Sequence, residues 1–477
     1  MACWLLGALV APQNTTEDDR RLAFILRDSG ASVFLARPEY LERAQRLAHE
    51  APNIAHLLTF GGEALAGYPH LETASAAFGQ DFTPSLAPRA EDEALLVYTS
   101  GTTGAPKGVI LTQANLLYDA ASIADWHAFD AKTRLMCVLP IHHVNGIVVT
   151  LVTPLLVGGS VVLNRAFSPR HFWERLAREG VHVVSVVPTL LQFCLDYADQ
   201  QAAQNASPWG EGVTRQDLAH FRHLICGAGT LAVALVTRFE AVFGFRVMHG
   251  YGLSETTCYS CFLPLGLSQA EHQSWLTAHG YPSIGCPLDV NEMAIFSPDG
   301  SGRRLGAGER GEICVRGPNV MKYYFKRPDA NAETFKFGWF RTGDEGFFLT
   351  DETGRPFFFI TGRLKELINR GGVKFSPFEI EEVLLSITGV KVGLAVAFEN
   401  RYYGEEVGAY IVPQDGAELS AEFILREART RLGFEKSPKA VVFGTEIPVT
   451  TTGKYQRLRL QPLFEAWRET QFKDSKG

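Results

Sequence analysis

At 477 residues the chain is longer than one hydrophobic core usually organises, so two or more domains are expected. Its 46% hydrophobic and 20% charged residues suit a soluble globular enzyme, and a net charge of −7 without a basic block disfavours nucleic acid as a partner. Eight scattered cysteines read as reduced thiols of a cytoplasmic protein, not as a disulfide framework.

The opening MACWLLGALVAP is apolar but has no basic leader, which argues against a secretion signal. The final KDSKG matches no lipid or retention signal. ALLVY, ending at Tyr98, predicts a buried strand, and a helix is expected to open at Thr112. Val144 to Leu163 carries no charge and is long enough to cross a bilayer. Pro154 and Gly158-Gly159 interrupt it, so a buried helix, a glycine turn and a buried strand are expected, and no membrane span.

From about residue 90 to 260, strands alternate with helical stretches, as where VHVVSVV follows PRHFWERLAREG; this predicts parallel sheets with covering helices. From about 281 to 360 the texture becomes short β-rich segments split by glycine turns. A joint of charged residues, Arg363 to Glu366, suits a hinge between domains at 1–363 and 366–477. Beyond it, Ser376-Pro377-Phe378-Glu379 reads as a capping box with proline at the first helical position. Ile380, Val383, Leu384 and Ile387 then share one apolar face. KVGLAVAF, VGAYIVP and a helix opening at Ser420 complete a small α+β unit.

The chemistry is concentrated in TSGTTGAPKG, Thr99 to Gly108. Strand, glycine loop and helix is a layout that cradles phosphate, although the spacing is not G-x-x-x-x-G-K-[ST]. Thr99, Ser100, Thr102 and Thr103 offer hydroxyls, Gly101 and Gly104 let backbone amides approach a polyphosphate, and Lys107 supplies a point charge. Cys258 and Cys261 form a lone C-x-x-C with no second pair, which reads as packing and not as zinc.

This loop resembles the signature of the acyl-activating, adenylate-forming synthetases. LPIHHVNG, GYGLSETT, GERGEICVRG, GWFRTGD, FITGRLKELINRGG and PVTTTGK match the same superfamily in the same order, and together the matches span residues 95 to 457. The resemblance implies an α/β fold: a large N-terminal domain of layered sheets and helices, plus a small α+β C-terminal domain on a hinge. It implies ATP, Mg²⁺ and CoA as cofactors and a carboxylic acid as substrate. Glu255 would hold Mg²⁺, whose preferred ligands are hard oxygens, beside Ser254 and Thr256. Tyr251, followed by Gly252, would lie against adenine near Gly227, Ala228 and Gly229. Asp344 would accept from the ribose hydroxyls, Arg363 would donate to ribose or phosphate, and Lys454 would be the mobile catalytic lysine at the α-phosphate. The C-terminal domain would rotate about Lys365 and present Gly371-Gly372, slim enough for a pantetheine arm.

By the same resemblance His143 lines the acyl pocket, while the family usually has an aromatic where this chain has His142. Amino-acid-activating relatives carry an aspartate in the segment occupied here by IHHVNG; its absence disfavours amino acids, because a buried ammonium needs a partner. The segment GRLKELINRGGVKFSPFEIEEVL looks most like the acyl-CoA synthetase branch. The alternatives are a ligase loading a carrier-protein phosphopantetheine, or a catalytically dead nucleotide-binding relative. The first 35 residues match a stretch well inside the usual N-terminal domain, so that domain is expected to be N-terminally incomplete by roughly fifty residues or more.

Overall fold

The computed structural model describes residues 1–78, 87–99, 106–449 and 455–473. Ser100, Gly101, Thr102, Thr103, Gly104 and Lys454 lie outside the described residues. Near the start, β1 (Val33–Ala36) and β2 (His56–Thr59) pair in parallel beside the helices Asp19–Ser29 and Leu41–Glu50.

Next come β3 (Glu93–Thr99) and β4 (Lys107–Thr112), which are antiparallel partners. This corrects the strand–loop–helix expectation: the TSGTTGAPKG segment joins two strands, and the helix Gln113–Trp126 begins only after the second. The cause is the apolar run Val109-Ile110-Leu111, fully buried in a strand that has a neighbour on each side. The helix does open on Thr112, whose side chain accepts from Asn115 N–H while Asn115 Oδ1 accepts from Thr112 N–H.

The central layer has seven strands. Five are parallel: β5 (Arg134–Cys137), β6 (Ser160–Leu163), β7 (Val183–Val186), β8 (His223–Cys226) and β9 (Arg246–Tyr251), in the order β6-β5-β7-β8-β9. The short β10 (Cys261–Phe262) and β11 (Cys286–Pro287) extend the edge antiparallel. Val144 to Leu163 forms a largely buried π-helix Asn145–Val152, the short helix Thr153–Leu156 with Leu155 and Leu156 exposed, a turn at Gly158-Gly159, and β6. β6 lies at the sheet edge, half-buried and ending in exposed Leu163, which corrects the expectation of a buried strand. Among the described residues no helix is long and apolar enough to cross a membrane. Cys258 and Cys261 are both buried, and the described residues contain no metal-binding cluster.

β12 (Glu292–Phe296), β13 (Gly311–Arg316), β15 (Phe340–Thr350) and β16 (Pro356–Arg363) form an antiparallel sheet. Between them β14 (Tyr323–Tyr324) leaves to pair with β4. Beyond Arg363, β17 (Ile368–Arg370), β18 (Val373–Phe375), β19 (Val390–Asn400), β20 (Gly404–Pro413) and β21 (Ala440–Phe443) make a separate five-stranded sheet. Both its faces are covered. Val407, Ala409 and Ile411 pack under the helices Pro377–Leu385 and Ala421–Arg431, while Tyr410 and Val412 face Leu460 and Phe464, as period-two alternation requires.

The predicted capping box at Ser376 forms only in part. Ser376 accepts from Phe378 N–H, but Glu379 turns away to Lys436 Nζ at 2.7 Å, a full charge being a stronger partner than a backbone amide.

Candidate active site

In parallel sheets, ligands collect in the crevice beyond the carboxyl ends of the strands. The segment with His142 and His143 follows β5, Gly227-Ala228-Gly229 follows β8, and Tyr251 ends β9 with Gly252 to Glu255 following it. Sequence spacing does not bring these together; the strand order does. At their base Ser185 Oγ donates to Asn145 Oδ1 at 2.9 Å, and Asn145 Nδ2 donates to the Tyr259 hydroxyl at 3.3 Å. His142 is pulled down to about 4 by burial, so its imidazole is neutral at pH 7.

The turn after β9 is shaped by close packing. A Cβ on Gly252 would sit 1.9 Å from the Cys258 carbonyl oxygen, so only glycine fits there. Thr256 is fully buried, and its hydroxyl is used within the turn, accepting from Leu253 N–H at 3.0 Å. In this structure its hydroxyl supports the turn, within which it also donates to the Leu253 carbonyl at 3.3 Å.

Glu255 is half-buried, and its Oε1 accepts from the Tyr324 hydroxyl at 2.8 Å. Lys107 Nζ lies 4.7 Å from the centre of the same Tyr324 ring. Tyr324 is in β14, which pairs antiparallel with β4 through Tyr324↔Val109, two residues from Lys107. Tyr324 thus joins the carboxylate and the lysine, and nothing local in the sequence signalled it. Burial first, and then the Glu255 charge, push its phenol far above the ordinary range.

A second cluster adjoins the first. Tyr251 donates to Asp344 Oδ2 at 2.6 Å, and Arg363 Nε stands 3.2 Å from Asp344 Oδ1. Asp344 and Arg363 are directly opposed in the β15–β16 ladder. Asp344 is 1% exposed, yet its Oδ1 makes no hydrogen bond. The Asp344 charge, and more weakly that of Glu255, holds the Arg363 guanidinium above its usual range. Both clusters therefore share one electrostatic neighbourhood.

On the C-terminal side Lys365 is exposed. Gly371 and Gly372 adopt φ of 59° and 91°, a region that favours glycine, and Gly372 has open space around it. Arg457, three residues past Lys454, binds Glu366 at 3.0 Å and Glu381 at 2.9 Å, tying the segment after the lysine to the hinge. Glu382 reaches back across the joint, its Oε1 accepting from Val233 N–H at 3.2 Å.

The family model for AMP-binding enzymes matches residues 1–325, and that for the AMP-binding enzyme C-terminal domain matches residues 379–454. The chain belongs to the AMP-binding enzyme family. It is 34% identical to a probable CoA ligase, CCL9, of Humulus lupulus, over 94% of this chain and 81% of that one. It is 33% identical to a sulfoacetate–CoA ligase of Cupriavidus necator, over 96% and 83%. The crystal structure of ATP-bound MatB from Rhodopseudomonas palustris superposes with a TM-score of 0.84 at 26% identity, covering 98% of this chain and 86% of that one. Within the AMP-binding enzymes the chain falls in the acyl-CoA synthetase branch, the AMP-forming acid–thiol ligases.

The residues of this AMP-binding enzyme suit a nucleotide. Asp344 Oδ1 has the Arg363 guanidinium beside it as an ion pair at 3.2 Å but accepts no hydrogen bond, so it keeps acceptor capacity of the kind a ribose hydroxyl uses. Glu255 commits one oxygen to Tyr324, and its other carboxylate oxygen is the hard ligand type that Mg²⁺ takes.

Proposed function

We propose that the enzyme joins a carboxylic acid to CoA, consuming ATP and releasing AMP and pyrophosphate. The observation that carries this reading is the convergence of Glu255, Lys107 and Asp344 on one crevice at the strand ends, linked through Tyr324, Tyr251 and Arg363. In the first half-reaction a substrate carboxylate oxygen attacks the α-phosphorus of ATP, the bond to the leaving pyrophosphate breaks, and an acyl-adenylate forms. Lys107 and the hydroxyls and amides of Thr99 to Gly104 hold the β- and γ-phosphates. Asp344 orients the ribose and Tyr251 the base, beside Gly227 to Gly229 and Gly252. Lys454 neutralises charge developing between the carboxylate and the α-phosphate. Mg²⁺, which Glu255 would hold, supplies positive charge to the polyphosphate.

In the second half-reaction the CoA thiolate attacks the acyl carbon and AMP leaves. The unit from residue 366 onward turns about Lys365, so that Gly371-Gly372 replaces Lys454 over the crevice. The boundary between 363 and 366 is supported by the hydrophobic cores, since Ile368 begins one made only of later residues. The acid is of the fatty or related acyl kind, with His143 on the pocket wall; no carboxylate in His142 to Gly146 offers a partner to an amino group. All eight cysteines are free thiols, in keeping with a reducing compartment such as the cytoplasm.

Pyrophosphate release measured over a panel of acids, with and without CoA, tests the reading. Acid-dependent release together with acyl-CoA formation is expected. Acyl-adenylate that persists with CoA and discharges only onto a carrier protein would replace CoA as the acceptor, and no release with any acid would mark a dead relative.

A further inference from the structure

A buried polar cluster in the N-terminal layers centres on Asn319. Asn319 is fully buried, and its Nδ2 lies 2.9 Å from Asp119 Oδ1, 3.0 Å from the Tyr259 carbonyl, 3.2 Å from Asn291 Oδ1 and 3.4 Å from the Thr256 carbonyl. Asn291 Nδ2 donates in turn to Asn319 Oδ1. The Asn319 backbone carbonyl accepts from Thr257 Oγ1 at 2.6 Å. Asn319 thus grips the turn after Glu255 by main chain and side chain together.

Two further features show that this turn is held, not relaxed. Thr257 has φ of 64°, a region costly for a β-branched residue and kept only where surroundings enforce it. Met321 N–H donates to the Glu255 carbonyl at 2.7 Å, so residues 318–324 and 254–259 run zipped together. The zipper hangs on the helix Gln113–Trp126 one turn apart: Asn115 Nδ2 donates to the Pro318 and Val320 carbonyls at 2.7 and 2.9 Å, and Asp119 takes Asn319. Asp119 is fully buried, and burial raises its carboxyl well above the usual range. The same strip that carries Asn319 ends in Tyr324, which holds Glu255 Oε1.

We propose that Asn319, anchored on Asp119, is a positioning residue that sets where the Glu255 carboxylate meets the metal–nucleotide complex. It touches no substrate; it acts through the backbone of Thr256 to Tyr259 and through Tyr324. This rests on Glu255 being the metal ligand.

The test is the Mg²⁺ dependence of acid-dependent ATP–pyrophosphate exchange in Asn319→Ala, Thr257→Val and Glu255→Gln, with thioester formation from supplied acyl-adenylate as a second readout. Thr257→Val keeps the β-branched shape and removes only the bond to the Asn319 carbonyl, so it serves if Asn319→Ala does not fold. The Mg²⁺ concentration at half-maximal exchange should rise about tenfold in Asn319→Ala and about threefold in Thr257→Val, roughly the loss of one or two buried hydrogen bonds. Thioester formation from acyl-adenylate should stay within about twofold of wild type. A shifted midpoint in Glu255→Gln with none in the folded Asn319 or Thr257 variants overturns the positioning role alone. An equal loss in both half-reactions at an unchanged midpoint makes Asn319 merely structural and overturns it too. An unshifted midpoint in Glu255→Gln removes the metal assignment, and this inference falls with it.

Discussion

The Tyr324 hydroxyl donates to Glu255 Oε1 at 2.8 Å, joining a strand end and an edge strand 69 residues apart in the chain. Because Lys107 stands over the same ring, one phenol orders both the anionic and the cationic side of the crevice.

Replacing either partner should separate charge from orientation. Glu255→Gln keeps the shape and removes the charge that attracts Mg²⁺, so ATP turnover should fall far more than thermal stability. Tyr324→Phe leaves the carboxylate in place without its donor, a loss of about 1.5–3 kcal/mol or roughly ten- to hundredfold in adenylate formation. Pyrophosphate release at low Mg²⁺ measures both, and normal turnover by Glu255→Gln there would exclude it as the metal ligand.

Lys454→Ala should abolish adenylate formation while thioester formation from supplied acyl-adenylate continues. On the proposed reading the lysine would serve only the step in which charge accumulates between carboxylate and α-phosphate. Equal loss in both half-reactions would refute that division of labour.

Gly372→Trp should stop the second half-reaction alone. The open space beside Gly372 would be filled by an indole, and φ of 91° disfavours any side chain there. The variant should still exchange pyrophosphate into ATP with its acid and yield no acyl-CoA. Normal acyl-CoA yield would place the pantetheine path elsewhere.

The joint between the two parts of the chain should respond to pH through Glu382. Burial raises this carboxyl to about 7 from 4.5, with the neighbouring Glu381 charge adding to the effect and the Val233 N–H opposing it. A carboxyl whose pKa is higher when docked stabilises docking fully below its free pKa, and that stabilisation is lost as pH rises through about 7. The docked arrangement should therefore loosen between about pH 5 and 8, and Glu382→Gln should flatten the response. The distance between fluorophores placed on either side of Lys365 reports it; the same slope in Glu382→Gln would exonerate this residue.

Local physics was legible in the amino-acid order. Thr112 opens its helix because its hydroxyl can reach Asn115 N–H, and Pro377 starts the C-terminal helix because it needs no backbone partner in the first turn. Alternating strands and helices from residue 90 to 260 announced the parallel sheet, and hence a crevice at its carboxyl edge. The charged and hydroxyl groups gathered in short motifs were legible too, since a motif's chemistry resides in its residue types.

Partners distant in sequence were decided only by the tertiary structure. That a strand from Lys107 precedes the helix depends on β3 and on Tyr323 and Tyr324 flanking its apolar run, and the run alone does not record those neighbours. Glu379 abandoned its capping box for Lys436, 57 residues on, because a charged partner in space outcompeted the nearer amide. Asp119, Asn291 and Asn319 each look like ordinary polar residues in sequence. Burial in one place makes them a clamp, because a polar group removed from water must be satisfied by whatever the fold brings to it.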